Sequence, residues 1–199
     1  MTEKHSKTTY MVELAVLIAI ILLMAFTPIG YIKTLGLEIS LIVIPVAVGA
    51  VTLGPLAGLL LGPRLGAIAV GTYVVMGLLG IPVFASGGGP GYIAQPTFGY
   101  LLGFIVQAWV NGAWARKAKQ INFRSLLEAN LVGMVIVYLF GLVWFYVVSN
   151  YIINAPISVW AVIWYCGILQ VIPDVVLCIG AAMLGVRGYK AGIWLDAKR

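Results

Sequence analysis

Residues 126–148 read LLEANLVGMVIVYLFGLVWFYVV and contain a single charged side chain, Glu128, close to the start of the stretch. A helix needs about 20 residues to cross the hydrocarbon core of a bilayer. The stretch has that length and an apolar composition, so it predicts a transmembrane helix. Glu128 lies at the start of this helix, which places its charge near the membrane surface.

The composition of the whole chain extends this interpretation to the full length. Of 199 residues, 62% are hydrophobic and 9% are charged, whereas about 25% are charged in an average soluble domain. We therefore predict an all-α membrane protein that forms one domain over residues 1–199. Six apolar stretches predict six transmembrane helices, at residues 10–26, 39–61, 65–81, 97–114, 126–148 and 157–184. The last stretch is long, and we expect it to break at Pro173 because proline cannot donate to the helical ladder.

The basic residues define the orientation of the predicted bundle. Eleven of the twelve lysines and arginines fall in the tails or in the loops after the second and fourth helices, and only Lys33 lies on the other side. Cytoplasmic loops of membrane proteins retain Lys and Arg, so we expect both termini in the cytoplasm. The net charge of +6 then reflects topology and contact with the lipid bilayer, and we expect no nucleic acid as a partner.

Several kinds of chemistry are missing from the sequence. The only histidine is His5, in the N-terminal tail, and Cys166 and Cys178 lack the spacing of metal ligands. We therefore predict no enzymatic activity, no metal site and no cofactor. No Gly-Lys dipeptide occurs, which excludes a Walker A loop. Active transport by this chain would take its energy from a partner or from an ion gradient.

The third connection is rich in glycine and in polar side chains. Residues 82–100 read PVFASGGGPGYIAQPTFGY. Glycine lets main chain approach a ligand closely, so this loop is a candidate cover for a binding pocket, although a flexible turn is an equally good interpretation. The candidate binding residues in this segment are Gly87, Gly88, Gly89, Tyr92, Gln95, Thr97 and Tyr100.

Asp174 is the only acidic residue deep inside a predicted apolar span, because Glu13 and Glu128 lie at the starts of their helices. An aspartate at mid-bilayer costs about 2.5–3.5 kcal/mol on insertion scales, and such residues usually carry function. Because Pro173 precedes it, we expect a helix start at depth, as found at transporter midplane sites. The alternative is that Asp174 caps that helix start. Asn130 is a weaker binding candidate, for which interhelical hydrogen bonding is an alternative.

Three segments carry a resemblance to a known family. They are LAGLLLGPRLGA at residues 56–67, GLLGIPVF at 77–84 and QPTFGYLLGF at 95–104. From Leu56 onward the chain resembles BioY, the biotin-specific S component of energy-coupling factor (ECF) importers, and Asp174 stands at the family's late acidic position. Before Leu56, the short motifs TPIG at residues 27–30 and IPVAVG at 44–49 resemble a pantothenate-type S component. The sequence therefore predicts a mosaic of the two types of S component, with a seam near residues 56–62.

The resemblance implies a fold, a function and partners. It implies the ECF S-component fold and capture of biotin from outside the cell for ATP-driven uptake. It also implies pairing with a transmembrane coupling subunit and two ATPase subunits, in the cell membrane of a prokaryotic-type cell. Ala15 and Ala19 match the family's docking motif, and small residues four apart let another helix approach closely.

Two other functions remain open from the sequence. An S component for pantothenate or another vitamin shares the fold and differs in its cargo. An autonomous secondary transporter belongs to a different class. One buried acid and no internal repeat give such a transporter little coupling machinery.

Overall fold

The computed structural model describes residues 11–12, 15–16, 18–19, 22, 31–32, 46–84, 87–118 and 120–191. Within the predicted first span, 10–26, the described residues have helical backbone, and the other residues of that span lie outside this set. The described helices are α1 (Val48–Leu78), α2 (Phe98–Lys117), α3 (Phe123–Val147), α4 (Val159–Val162) and α5 (Leu169–Lys190). A 3-10 helix covers Pro90–Ala94, and π-helical turns cover Val148–Ile152 and Ile163–Ile168.

Two short strands precede α1. Strand β1 (Tyr31–Ile32) pairs antiparallel with strand β2 (Val46–Ala47). The sequence predicted a helix from residue 39, but β2 is extended and α1 begins at Val48. Pro45 directly before β2 explains the late start, because proline interrupts helical hydrogen bonding. Residues 39–45 lie outside the described part of the chain.

The segment Val48–Leu78, labelled α1, contains two helical halves that meet at Gly62. The predicted spans 39–61 and 65–81 divide at the same point, and the structure has a sharp non-helical turn here, because Gly62 has a φ of 84° and a ψ of 178°. A Cβ at Gly66 would meet the backbone of residues 57 and 58, whereas residues eight apart in a continuous helix are about 12 Å apart, so the chain folds back on itself across this turn. Only glycine adopts such angles without strain. The guanidinium of Arg116, from the end of α2, fills the space that a side chain at Gly62 would need.

Glycines bring the backbones of α1 and α2 into direct contact. A Cβ added at Gly58 would overlap the backbone of Ala108, and one added at Gly112 would meet the backbones of Gly58 and Pro63. Such small residues let membrane helices approach closely and pack without polar contacts.

The last apolar stretch is one continuous helical segment. It runs from Val159 to Lys190 and passes through Pro173 without a break, so the break predicted at Pro173 is wrong. The π-helical turn Ile163–Ile168 lies directly upstream of this helix.

Three described segments are long and apolar enough to cross a membrane. They are Leu61–Leu78, Phe123–Ile152 and Val159–Lys190. Helix α2 packs between α1 and α3, and α5 packs against both α1 and α3. The α1–α2 core includes buried Tyr73, Phe84 and Phe104. Asp174 lies near the midpoint of the last segment and points into this bundle, at 6% exposure.

The close contact of α1 and α2 predicts a position-specific response to alanine. Gly58→Ala forces a methyl group against the Ala108 backbone, and we expect it to lower the free energy of unfolding by about 1–3 kcal/mol. Gly71→Ala in the same helix meets no atom within 4 Å, so this control is neutral or slightly stabilising. Thermal unfolding in detergent measures both variants. Equal melting temperatures for the two would contradict the packing described.

Candidate substrate-binding site

Asp174 is held by a tyrosine of the neighbouring helix. It lies in the second turn of α5, and the Tyr138 hydroxyl of α3 donates to its Oδ2 at 2.6 Å. Because the helix begins earlier and continues through residue 174, the alternative that Asp174 caps a helix start is wrong. A short hydrogen bond to a carboxylate is stronger than one between neutral groups, so Tyr138 fixes the direction of this acid.

Two buried polar atoms beside this contact are left open. Asp174 Oδ1 and Gln170 Nε2 have no hydrogen-bond partner among the described residues, and both atoms are sealed from solvent. Gln170 lies four residues before Asp174 in α5, so the two side chains share one face of the helix. Buried polar atoms in native proteins are nearly always paired, and the Gln170 amide lies close enough to the Asp174 carboxyl for the two to interact with each other. Gln107 Oε1 of α2 is a third buried atom without a partner among the described residues.

These residues belong to a polar stripe along the last helical segment, defined by residues 166, 170, 174 and 178. Tyr100 of α2 donates to the Cys166 carbonyl at 3.1 Å, and the Asn130 amide of α3 donates to the Cys178 carbonyl at 2.9 Å. Both ends of the stripe are thus bonded to neighbouring helices. The open atoms lie in its middle, between two anchored turns.

Two predicted site residues meet through a residue that the sequence did not single out. The rings of Tyr100 and Tyr138 pack edge to face with centroids 6.4 Å apart. Tyr138 links Tyr100 to Asp174, so these three side chains form one cluster. Tyr138 lies in the middle of the apolar stretch 126–148, whereas tyrosines in membrane helices are common at span ends, so its position was the signal that could have found it. Gln170 is likewise a polar residue inside the predicted span 157–184.

The glycine loop uses much of its backbone on itself. Gly87 exchanges both backbone hydrogen bonds with Phe84, at 2.9 and 3.1 Å, and the Gly89 amide donates to the Gly77 carbonyl at 2.7 Å. Gly87 and Gly89 have φ values of 104° and 107°. A Cβ at Gly88 would overlap the Ile81 carbonyl. These glycines therefore seat the loop on the end of α1, and the role of their remaining groups in binding stays a prediction.

The other loop candidates tie the loop to α2 and α3. Tyr92 stacks on Phe84 at a centroid distance of 4.4 Å, and its hydroxyl lies 3.2 Å from Thr97 Oγ1. The Gln95 carbonyl accepts a hydrogen bond of 3.3 Å from the Trp144 indole, while the Gln95 side chain is exposed. These contacts hold the loop over the start of α2, one turn from Tyr100.

Asn130 lies in a second polar layer, nearer the cytoplasmic side. Besides donating to Cys178, its side-chain amide meets that of Asn111 at 3.0 Å. Gln107, one turn before Asn111, is also buried. The contacts of Asn130 therefore favour the interhelical alternative, because both ends of its amide are bonded to neighbouring helices.

Ala15 and Ala19 present an exposed surface. Both are helical and exposed, whereas Ile18 and Leu22 pack against the core. The alanines thus lie away from the bundle, where another helix has access to them. Across the described ranges, no group of three His, Cys, Asp or Glu side chains is placed to hold a metal ion.

Comparison with known proteins gives a consistent result. A family model described as "BioY family" matches residues 1–192. A probable biotin transporter BioY of Lysinibacillus sphaericus is 38% identical over 136 residues, covering 68% of this chain and 69% of that protein. A biotin transporter BioY of Rhizobium etli is 34% identical over 166 residues, covering 77% and 84%.

A solved structure extends the similarity to the fold. The crystal structure of the S component for biotin from an ECF-type ABC transporter matches with a TM-score of 0.77 and 25% identity, covering 96% of this chain and 95% of that one. The predicted all-α S-component fold is confirmed. Because the family match begins at residue 1, the seam predicted near residues 56–62 is wrong. The segment Leu61-Gly62-Pro63 forms the turn between the two helical halves of α1 instead.

The Tyr138–Asp174 hydrogen bond predicts a loss of stability when it is removed. Tyr138→Phe keeps the ring packing on Tyr100 but leaves Asp174 without this donor, and we expect the free energy of unfolding to fall by about 1–3 kcal/mol. Thermal unfolding in detergent measures the change. Tyr151→Phe, at a residue that is 73% exposed, is the matched control and should melt like the wild type. A Tyr138→Phe variant as stable as that control would contradict the assigned bond.

Proposed function

The chain belongs to the BioY family, and we propose that it is the S component that captures biotin from outside the cell for an ECF-type importer. The similar proteins are transporters rather than enzymes. The long apolar helices make the chain an integral membrane protein. The open carboxylate oxygen of Asp174, buried in the bundle, is the observation that carries the assignment of the site.

The chemistry of biotin fits the surroundings of Asp174. The ureido ring of biotin has two N–H donors and a carbonyl acceptor, and Asp174 Oδ1 is a buried acceptor without a partner among the residues described. Buried polar atoms in a ligand site fix orientation, while apolar walls supply most of the contact. The thioether ring and the aliphatic tail of biotin suit the apolar and aromatic side chains of α2 and α3.

The carboxylate of biotin is assigned to neutral donors on the loop side. Gly87 and Gly89 already donate their amides within the loop and to α1. The remaining candidates are other loop amides and the hydroxyl of Thr97, which lies where the loop meets α2. The Tyr100 hydroxyl, also predicted to contact the substrate, gives its hydrogen to the Cys166 carbonyl at 3.1 Å. Lys33, the only lysine or arginine predicted on the outer side, lies outside the described residues.

Uptake requires partners, because the chain has no Walker A loop to bind ATP. The proposed assembly contains a transmembrane coupling subunit and two ATPases, in the cell membrane. The exposed Ala15 and Ala19 support a contact with a helix of the coupling subunit, since small residues admit close helix packing.

Biotin binding tests the assignment of Asp174. We expect Asp174→Ala to weaken biotin binding at least about tenfold, because a ureido N–H then loses its carboxyl acceptor. Calorimetric titration of the purified protein measures this affinity. Glu128→Gln removes an exposed acid that pairs with Arg124 at 3.1 Å and serves as the control with unchanged affinity. Wild-type affinity in Asp174→Ala would remove Asp174 from the site.

Transport with intact binding tests the docking surface. We expect Ala15→Trp to abolish ATP-driven biotin uptake in cells that supply the coupling subunits, because a bulky ring keeps the partner helix away. Biotin affinity of the purified variant should stay at the wild-type level. Leu139→Trp places the same ring on an exposed position of α3 and should transport normally. Normal uptake by Ala15→Trp would argue against this contact.

A further inference from the structure

The side chain of Asn150 joins two parts of the backbone where α3 ends. Its amide donates to the carbonyl of Tyr146 at 2.9 Å and to that of Ile157 at 3.1 Å, and its Oδ1 accepts from the Ile157 N–H at 3.2 Å. The amide nitrogen and the oxygen of this side chain are therefore both bonded to main chain. Because Ile157 is bonded at its N–H and at its carbonyl, Asn150 holds it as a neighbouring strand would.

This clamp, formed by Asn150 and Ile157, connects α3 to the last helical segment. Residues 151–156 between the two clamped positions are exposed. Directly after Ile157, the Ser158 hydroxyl accepts from the Ala161 N–H at 3.2 Å and begins α4. Exposed loops tolerate changes in length, so the clamp, rather than the loop, is placed to fix where the last helical segment starts relative to α3.

A second amide anchors the same two helices nearer the cytoplasmic side. The Asn130 amide of α3 donates to the Cys178 carbonyl of α5 at 2.9 Å. Tyr138 lies between the two asparagines along α3, and its hydroxyl donates to Asp174. The proposed site is therefore bracketed by two amides of α3, each bonded to backbone in or directly before the last helical segment.

The two helices need such anchors because lipid does not fix their relative depth. Apolar helices gain little from water exclusion when they associate in a bilayer, so packing alone distinguishes weakly between neighbouring depths. A shift of one residue along a helix turns the side chain by about 100°, which would move Asp174 away from Tyr138. A polar bond at each end selects one depth and one rotation.

Packing carries the position of Ile157 toward the site. Ile157 packs against a buried cluster that contains Cys166, and the Cys166 carbonyl accepts the Tyr100 hydroxyl at 3.1 Å. The Tyr100 ring packs edge to face on Tyr138. A displaced Ile157 would therefore change the contacts of both tyrosines that surround the acid.

We propose that Asn150 is a positioning residue of the biotin site, which holds the start of the last helical segment at the depth and rotation where Asp174 meets Tyr138. This assignment rests on the proposed function, because it names a residue that shapes that site without touching the substrate. Asn130 supports the same alignment from the other end of α3.

Calorimetric titration of biotin into the full-length variants tests the clamp. Asn150→Asp keeps the size and the acceptor oxygen, but it replaces the nitrogen that donates to two carbonyls by a second oxygen. We expect the dissociation constant of biotin to rise about tenfold, with an unchanged number of binding sites per folded molecule. Asn154→Asp places the same charge in the exposed loop, at a φ of 52° that suits either residue, and should bind like the wild type.

A change in loop length separates the clamp from the loop. Two glycines inserted between Asn154 and Ala155 lengthen the connection and leave Asn150 and Ile157 in place. We expect this variant to bind biotin within about twofold of the wild type, because the entropy of a loop depends weakly on its length. The insertion decides the question if Asn150→Asp does not fold. A marked loss of affinity from the insertion alone would mean that loop length, and not the clamp, sets the alignment.

The outcomes separate this inference from the proposed function. A wild type that does not bind biotin overturns both. A wild type that binds biotin, with Asn150→Asp as tight as Asn154→Asp, overturns only the role of Asn150. Fewer binding sites or a lower melting temperature, with an unchanged dissociation constant, also overturns it, because Asn150 would then support folding alone.

Discussion

The close approach of α1 and α2 is the contact on which the rest of the described bundle depends. Lipid tails are as apolar as the side chains of these helices, so packing rather than water exclusion brings the helices together. Gly58 and Gly112 supply that packing by placing backbone against backbone. At Gly62 the chain turns back between the two helical halves of α1, beside Arg116 of α2. With α2 fixed in this way, Tyr100 faces the last helical segment.

The polar groups inside the bundle are arranged in layers. Near the cytoplasmic side, Asn111 and Asn130 join α2 to α3, and Asn130 continues to the Cys178 carbonyl of α5. Two turns further out, Tyr138 holds Asp174. In an environment of low dielectric a satisfied network is rigid and an open group is costly. The site lies where hydrogen bonding between the helices is incomplete. Tyr138 bonds one oxygen of Asp174, and the other oxygen has no partner among the described residues.

Some features were predictable because they depend on local sequence. The spans at 97–114 and 126–148 correspond closely to α2 and α3, since a long apolar run has few alternatives to a membrane helix. Asp174 was identifiable because an acid in an apolar run is costly. The break predicted at Pro173 does not occur, because the helix Leu169–Lys190 continues through the proline, and proline's local preference did not decide the outcome. The glycine loop was predicted as a cover, and its hydrogen bonds to α1 were not visible in the sequence.

The sequence by itself determined the membrane environment, the loops that carry the basic residues, and Asp174 as the acidic residue deep in an apolar span. These follow from hydropathy and charge, which are properties of residues close together along the chain. Only the tertiary structure decided which groups Asp174 meets and which of its oxygens stays open. Tyr138 lies 36 residues from Asp174, and Tyr100 lies 66 residues from Cys166. Such pairs form only when separate helices pack at a particular rotation and depth, and no local pattern in the sequence encodes that geometry.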